Sequence, residues 1–208
     1  EVKRALQEQL RDPNKMVRSA SLAALSRMEG PVDAALITTL LRDPEIDVQN
    51  RAIDVLIRAN DPETIRHLIP VLKDENEYAR RAAVEVLNEI GDAKSVKYLL
   101  AAIKDDDWWV RSRAGDALGK IGGPKVIDAV LQLIRDQDAD IRRAAIEILN
   151  QTKDERAVSH LIQATRDTDW WVSERAVDAL AEIGSKRALP RLVEMLQTTP
   201  ARSLPIVV

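Results

Sequence analysis

An aspartate recurs at Asp12, Asp43, Asp74, Asp105, Asp136 and Asp167, each separated from the next by 31 residues without a slip. A fixed period of this length marks a stacked array, in which one supersecondary unit repeats and buries its apolar face only against its neighbours. The stretch DDDWWVRSRAGDALGKIG from Asp105 to Gly122 returns as DTDWWVSERAVDALAEIG from Asp167 to Gly184. Behind each aspartate come a helical apolar pattern, a break at Gly or Asp, and a second helical pattern, so each repeat reads as helix A, a turn and helix B. Full repeats span 12–42, 43–73, 74–104, 105–135, 136–166 and 167–197, with partial repeats at 1–11 and 198–208. The expected fold is all-α: one domain over 1–208, a right-handed α-solenoid of 31-residue helix pairs.

The columns of the array separate core from surface. In repeat one Val17, Ser21, Ala24, Leu25 and Met28 share a face of helix A, and Ala34, Ile37, Thr38 and Leu41 share a face of helix B. Repeat four answers with Val110, Ala114, Ala117, Leu118 and Ile121, then Ile127, Val130, Leu131 and Ile134. The residue two after each aspartate is Asn14, Glu45, Asn76, Asp107, Asp138 or Asp169, mostly good acceptors for free N–H groups at a helix start. Helix B ends on Arg42, Lys73, Lys104, Arg135, Arg166 or Gln197, and cations there complement the helix dipole. At the ends, Leu6, Leu10, Leu204 and Ile206 expect apolar neighbours, as in an excerpt from a longer array.

A second periodicity overlies the first. Arg51, Arg113 and Arg175 share a column in the even repeats, with Asp54, Asp116 and Asp178 three residues on. The odd repeats have Ala20, Ala82 and Ala144, then Ala23, Glu85 and Glu147. Duplication of a two-repeat block is the simplest origin.

The D-x-D-W-W-V-R-x-x-A-x-x-A-L-x-x-I-G segment, followed by a helix such as Lys125 to Arg135, resembles the short HEAT-like repeats of phycobilisome bilin lyases and of many bacterial scaffold proteins. That resemblance covers nearly the whole chain and implies an α-solenoid. The column of Arg18, Arg80, Arg111 and Arg142 resembles the family's inter-repeat Arg–Asp ladder, with departures at Gln49 and Ser173. It also implies that helix B lines the concave side.

No set of residues looks catalytic, so no enzyme, no cofactor and no metal site is expected. His67 and His160 stand three repeats apart; at roughly 8–10 Å between neighbouring helices they lie too far from each other to share a zinc ion. The chain has no cysteine, which suits a reducing cytoplasm, and no long apolar run, so no membrane partner is expected. Its net charge of −3 gives no global basic field for nucleic acid.

The outward columns of helix B are nonetheless locally basic. Arg66, Lys97 and Arg191 flank His67, Tyr98, Gln132, His160 and Gln163, and these eight residues form the expected partner surface. Tyr98 is its best anchor, with a large apolar body and a polar tip. Lys94, Lys125, Arg156 and Arg187 sit in first turns, where the dipole disfavours cations, and call for compensation by a neighbouring acid or a ligand. A second candidate is the ridge of Trp108, Trp109, Trp170 and Trp171. Trp109–Arg113 and Trp171–Arg175 have the i,i+4 spacing that lays a guanidinium over an indole. The favoured reading of the ridge is structural, each Trp covering the loops against the adjacent repeat. The expected function is a protein-interaction scaffold whose partner is favoured to be acidic. A bilin-lyase-like enzyme subunit, implied by the resemblance, and nucleic-acid binding along helix B are the alternatives.

Overall fold

The computed structural model describes residues 1–198, with side chains through Gln197. All regular structure among them is helical. The chain divides into two compact units, residues 1–121 and the residues from Gly122 onward.

In the first unit the helices are α1 (Val2–Glu8), α2 (Lys15–Leu25), α3 (Ala34–Thr39), α4 (Ile46–Ala59), α5 (Thr64–Val71), α6 (Glu77–Ile90), α7 (Val96–Ala102) and α8 (Trp108–Ile121). Helices α2, α4, α6 and α8 are the A helices and pack in succession, while α3, α5 and α7 each lie against the A helix that follows. The second unit holds α9 (Gly123–Leu133), α10 (Ala139–Thr152), α11 (Val158–Ala164), α12 (Trp170–Ile183) and α13 (Leu189–Thr198). Here α10 packs on α12, α9 on α10 and α11 on α12.

The period is a hydrogen-bonding device. In every repeat the leading aspartate accepts the N–H of the residue two on: Asn14 (2.7 Å), Glu45 (3.0 Å), Asn76 (3.0 Å), Asp107 (2.8 Å), Asp138 (3.1 Å) and Asp169 (2.8 Å). That second residue then caps helix A. Asn14, Asn76 and Asp138 accept the N–H two residues on, Asp107 those of Trp109 and Val110, and Asp169 that of Val172. Glu45, one methylene longer, makes no such bond.

The buried set is wider than the sequence columns. Besides the column members Ala79, Ala83, Val86 and Leu87, α6 buries Ala82 and Val84, because an A helix inside a stack has a neighbour on each side as well as the B layer. Leu22 and Val126, which the columns left out, are fully buried. At the start, Leu10 is also buried, so the expected lack of apolar neighbours does not hold there; α1 already packs on α2. Leu204 and Ile206 lie outside the described residues. On α13, Leu189 and Leu196 are exposed, although the matching Val158 and Ile134 are buried in their repeats, and Val193 is exposed where the matching Leu131 is half-buried.

Candidate binding surfaces

Two edges carry the candidate residues. Along the first turns of the A helices, the guanidinium of Arg18 holds the carboxylate of Asp43 through two bonds (2.7 and 2.8 Å) and reaches back to the carbonyls of Asp12 and Pro13. Arg80 does the same with Asp105 (2.8 and 3.0 Å), and Arg142 with Asp167 (2.8 and 3.0 Å). These pairs are largely withdrawn from water, with 12% and 4% of the Arg18 and Asp43 side chains exposed. Hydrogen bonding to the facing carboxylate pushes each arginine above its ordinary pKa.

The two departures from the arginine column are repaired differently. Gln49 keeps the tie to its own loop, donating to the Asp43 carbonyl (2.8 Å), but cannot reach the next repeat, and Asp74 is taken instead by Arg42. Ser173 donates to the Thr165 carbonyl (2.9 Å). That bond goes to the loop before its own helix, so the arginine ladder is interrupted at Ser173.

Further rungs explain the alternation of repeats. Arg81 binds the helix-capping Asp107 (3.1 and 2.5 Å) and Arg113 binds Glu85 (2.8 and 3.0 Å), tying α6 to α8. Arg143–Asp169 and Arg175–Glu147 tie α10 to α12 in the same way. Neither the Arg81 column nor the Glu85 column offers the pair between α4 and α6, where Asn50 faces Asn76 and Ala82 stands in the arginine column. Among the described residues no ion pair joins those two helices. Asp107 and Asp169 are held below the usual carboxylate range, first by these arginines and then by backbone N–H groups.

The tryptophans divide into two kinds. Trp109 and Trp171 are half-buried beneath Arg113 and Arg175, whose guanidinium carbons stand 5.4 and 5.7 Å from the ring centres. Trp108 and Trp170 are 65% and 69% exposed and lie largely in water.

On helix B, Lys97 lies over the Tyr98 ring at 4.6 Å, with Tyr98 half-buried and Lys97 exposed. Arg66 is exposed, pairs with Glu63 (2.6 Å) and donates to His67 Nε2 (3.2 Å). Gln132 is exposed on α9. Gln163 accepts a hydrogen bond from Arg135 (2.7 Å), and His160 lies beside Ser159. Arg191 is different: its guanidinium folds back onto the Thr165 hydroxyl (2.7 Å) and carbonyl (3.3 Å) and pairs with Glu194, leaving 13% of the side chain exposed. Of the first-turn cations, Arg156 is compensated by Asp154 (2.8 Å) and Asp128 (3.3 Å). Lys94, Lys125 and Arg187 make no side-chain pair among the described residues.

The structure also shows concavities that sequence columns cannot reveal. Within the second unit a cavity of about 410 Å³ joins His160 and Gln163 to Arg135, Arg142 and Arg166. Arg135 and Arg166 belong to the helix-ending column read above as dipole complements alone. A larger cavity of about 660 Å³, lined by none of the candidate residues, lies beside Val55, Arg58 and Ala59. It opens where α2, at 11 residues, lacks the last turn present in the 14-residue α4. No cluster with metal-ligand geometry occurs among the described residues, and none of their helices is long and apolar enough to cross a membrane.

Known proteins bear on the fold. No curated protein matches the chain. Among solved structures it is similar to the protein YibA of E. coli, with a TM-score of 0.58 at 21% identity over 97% of this chain and 77% of that one. The complex of CpcE and CpcF of phycocyanin lyase from Nostoc sp. superposes with a TM-score of 0.54 at 16% identity, covering 91% and 80%. An engineered protein gives 0.50 at 20% identity, covering 88% and 96%. At these identities the likeness speaks for the α-solenoid fold alone. The family model for HEAT repeats matches residues 34–114, 65–150 and 127–204, most of the chain. Repeat period, helix pairing and family match agree, and the chain belongs to the HEAT-repeat family.

Proposed function

We propose that the chain is a cytoplasmic, non-enzymatic scaffold that holds an acidic stretch of a protein partner on its helix-B face. The observation that carries this reading is the column of Lys94, Lys125 and Arg187. Each is an exposed cation at the start of helix B, where the dipole opposes it: Lys125 in the first turn of α9, Arg187 in the 3-10 turn that leads into α13, and Lys94 not in a first turn as expected but in the turn just before α7; none has a carboxylate partner among the described residues. An acidic ligand would relieve that repulsion. The cavity in the second unit brings Arg135, His160, Gln163 and Arg166 together with Asp136 and Asp167, a polar recess of mixed charge beside this face. In the first unit Tyr98 offers an aromatic anchor beside Lys97.

Affinity capture from the source cell with four baits tests the reading: the wild type, Tyr98→Ala/Lys97→Glu, Lys125→Glu/Arg187→Glu and Trp108→Ala. A protein recovered by the wild type and by Trp108→Ala, lost from both helix-B variants, and released by moderate salt is the expected result. Recovery unchanged in both helix-B variants, with circular dichroism showing all baits folded, overturns it.

A further inference from the structure

The A-helix edge of the first unit carries a second feature, independent of the helix-B reading. Each of its four A helices exposes one large apolar side chain in its first turn: Met16 on α2, Ile46 on α4, Tyr78 on α6 and Trp108 on α8. The rungs Arg18–Asp43, Arg80–Asp105 and Lys15–Glu45 join these helix starts or the loops leading into them, and the helices pack in succession. The four side chains therefore form one file along one edge. Solvent-exposed apolar side chains aligned in this way mark a contact surface, whereas isolated ones do not.

The charge along the file has one sign. Its cations are taken up within the chain, Lys15 by Glu45, Arg18 by Asp43, Arg80 by Asp105, Arg81 by Asp107, and Arg111 by the carbonyls of Asp105 and Asp106. Asp47, Glu75 and Asp106 are exposed and their carboxylates have no partner among the described residues. The rings show what they accept. Arg81 stands 5.3 Å from the centre of the Tyr78 ring and Arg113 5.4 Å from that of Trp109, but among the described residues no cation lies over Trp108. An exposed indole over which no cation of the described residues lies, set among unpaired carboxylates, matches an incoming lysine or arginine.

We infer that this edge binds a basic, extended protein segment that lies along the file, with an arginine or lysine side chain on Trp108 and others paired with Asp106 and Glu75. Neighbouring helices stand about 8–10 Å apart and an extended chain advances about 3.3 Å per residue. Anchors therefore fall on every third residue of the ligand, and four repeats engage a segment of about ten residues. In the second unit Trp170 repeats the exposed ring, with Trp171 again covered by Arg175.

The test titrates the full chain with a fluorescein-labelled peptide of four Arg-Gly-Ser units, read by anisotropy at low salt. Controls are the Glu-Gly-Ser counterpart and a labelled single-stranded oligonucleotide. The arginine peptide should bind, with affinity at least threefold weaker for Trp108→Ala and for Glu75→Gln/Asp106→Asn, and unchanged for Lys94→Glu/Lys97→Glu on the opposite layer. Circular dichroism verifies that each variant is folded, and quenching of indole fluorescence by the peptide gives a second readout that Trp108→Ala should diminish. Absent binding, equal affinity for wild type and folded Trp108→Ala, or preference for the glutamate peptide or the oligonucleotide overturns the assignment. Failure of the helix-B capture experiment leaves this result untouched, because the two use different residues and opposite charge.

Discussion

The guanidinium of Arg113 stands 5.4 Å from the centre of the Trp109 ring. The same guanidinium grips Glu85 on the preceding A helix, so the indole roofs an ion pair between repeats. Trp109→Ala should then lower stability by about 1–2 kcal/mol, through lost apolar burial and the lost ring contact. The adjacent Trp108→Ala should change it by no more than about 0.5 kcal/mol, since that ring is mostly in water. Urea denaturation of the two variants side by side decides the matter; equal losses would show that both rings are structural.

Arg80 satisfies Asp105 and the carbonyls of Asp74 and Glu75 with a side chain that is 15% exposed. Its removal leaves a largely buried carboxylate and two carbonyls without their donor. Arg80→Ala is expected to cost about 2–4 kcal/mol. Arg66→Ala, breaking an ion pair in which both side chains are more than 60% exposed, should cost under about 0.5 kcal/mol. Similar shifts of the two unfolding midpoints would contradict this account of the ladder.

Much of this organisation is legible in the chain itself. The aspartate period, the capping residue two positions later and the Trp109–Arg113 spacing are local relations, and each has its predicted geometry. What escapes is non-local. The partners Arg81–Asp107 and Glu85–Arg113 lie 26 and 28 residues apart, and only the register between packed helices makes them neighbours. The alternation of repeats therefore reads as a trace of duplication until the structure shows it to be a set of cross-links. Arg191 illustrates the converse: its column points outward, yet a long side chain can fold back, and here it binds Thr165 of the preceding B helix. Met16, Ile46 and Tyr78 do not stand out in the sequence because they occupy two adjacent columns, and neither column alone is apolar throughout.

Lys153 closes α10 in the left-handed region at φ 48°, where Gly184 closes α12 at φ 69°. A side chain with a β-carbon is strained there, whereas glycine is not. Lys153→Gly should raise stability by about 0.5–1 kcal/mol even though it removes the solvent-exposed contact with Glu182. Gly184→Lys should lower it by a similar amount. Thermal midpoints that move the other way would show that the conformation is not strained.

Asp74, Asp107 and Asp169 titrate below the ordinary carboxylate range, chiefly through hydrogen bonds from Arg42, Arg81 and Arg143. A carboxyl whose folded pKa is depressed stabilises the fold fully above its unfolded value, about 4, and loses that contribution as the pH falls through the folded one. Stability should therefore be level from about pH 5 to 8 with respect to these groups and fall below about pH 4. Asp107→Asn should reduce both the plateau and the steepness of the acid decline. A decline of undiminished slope in that variant would place the acid sensitivity elsewhere.

Ion pairs bind α6 to α8 at several heights, yet none joins α4 to α6 among the described residues. Apolar packing resists separation of two helices but tolerates small sliding and twisting, which fixed guanidinium–carboxylate geometry does not. Under load the first unit should behave as stiff plates joined by one compliant seam, with deformation gathered between Asn50 and Ala82. Amide exchange should find the lower opening energies along that seam, and a segment lying across the A-helix edge would bridge it, changing the elasticity of the stack as it binds.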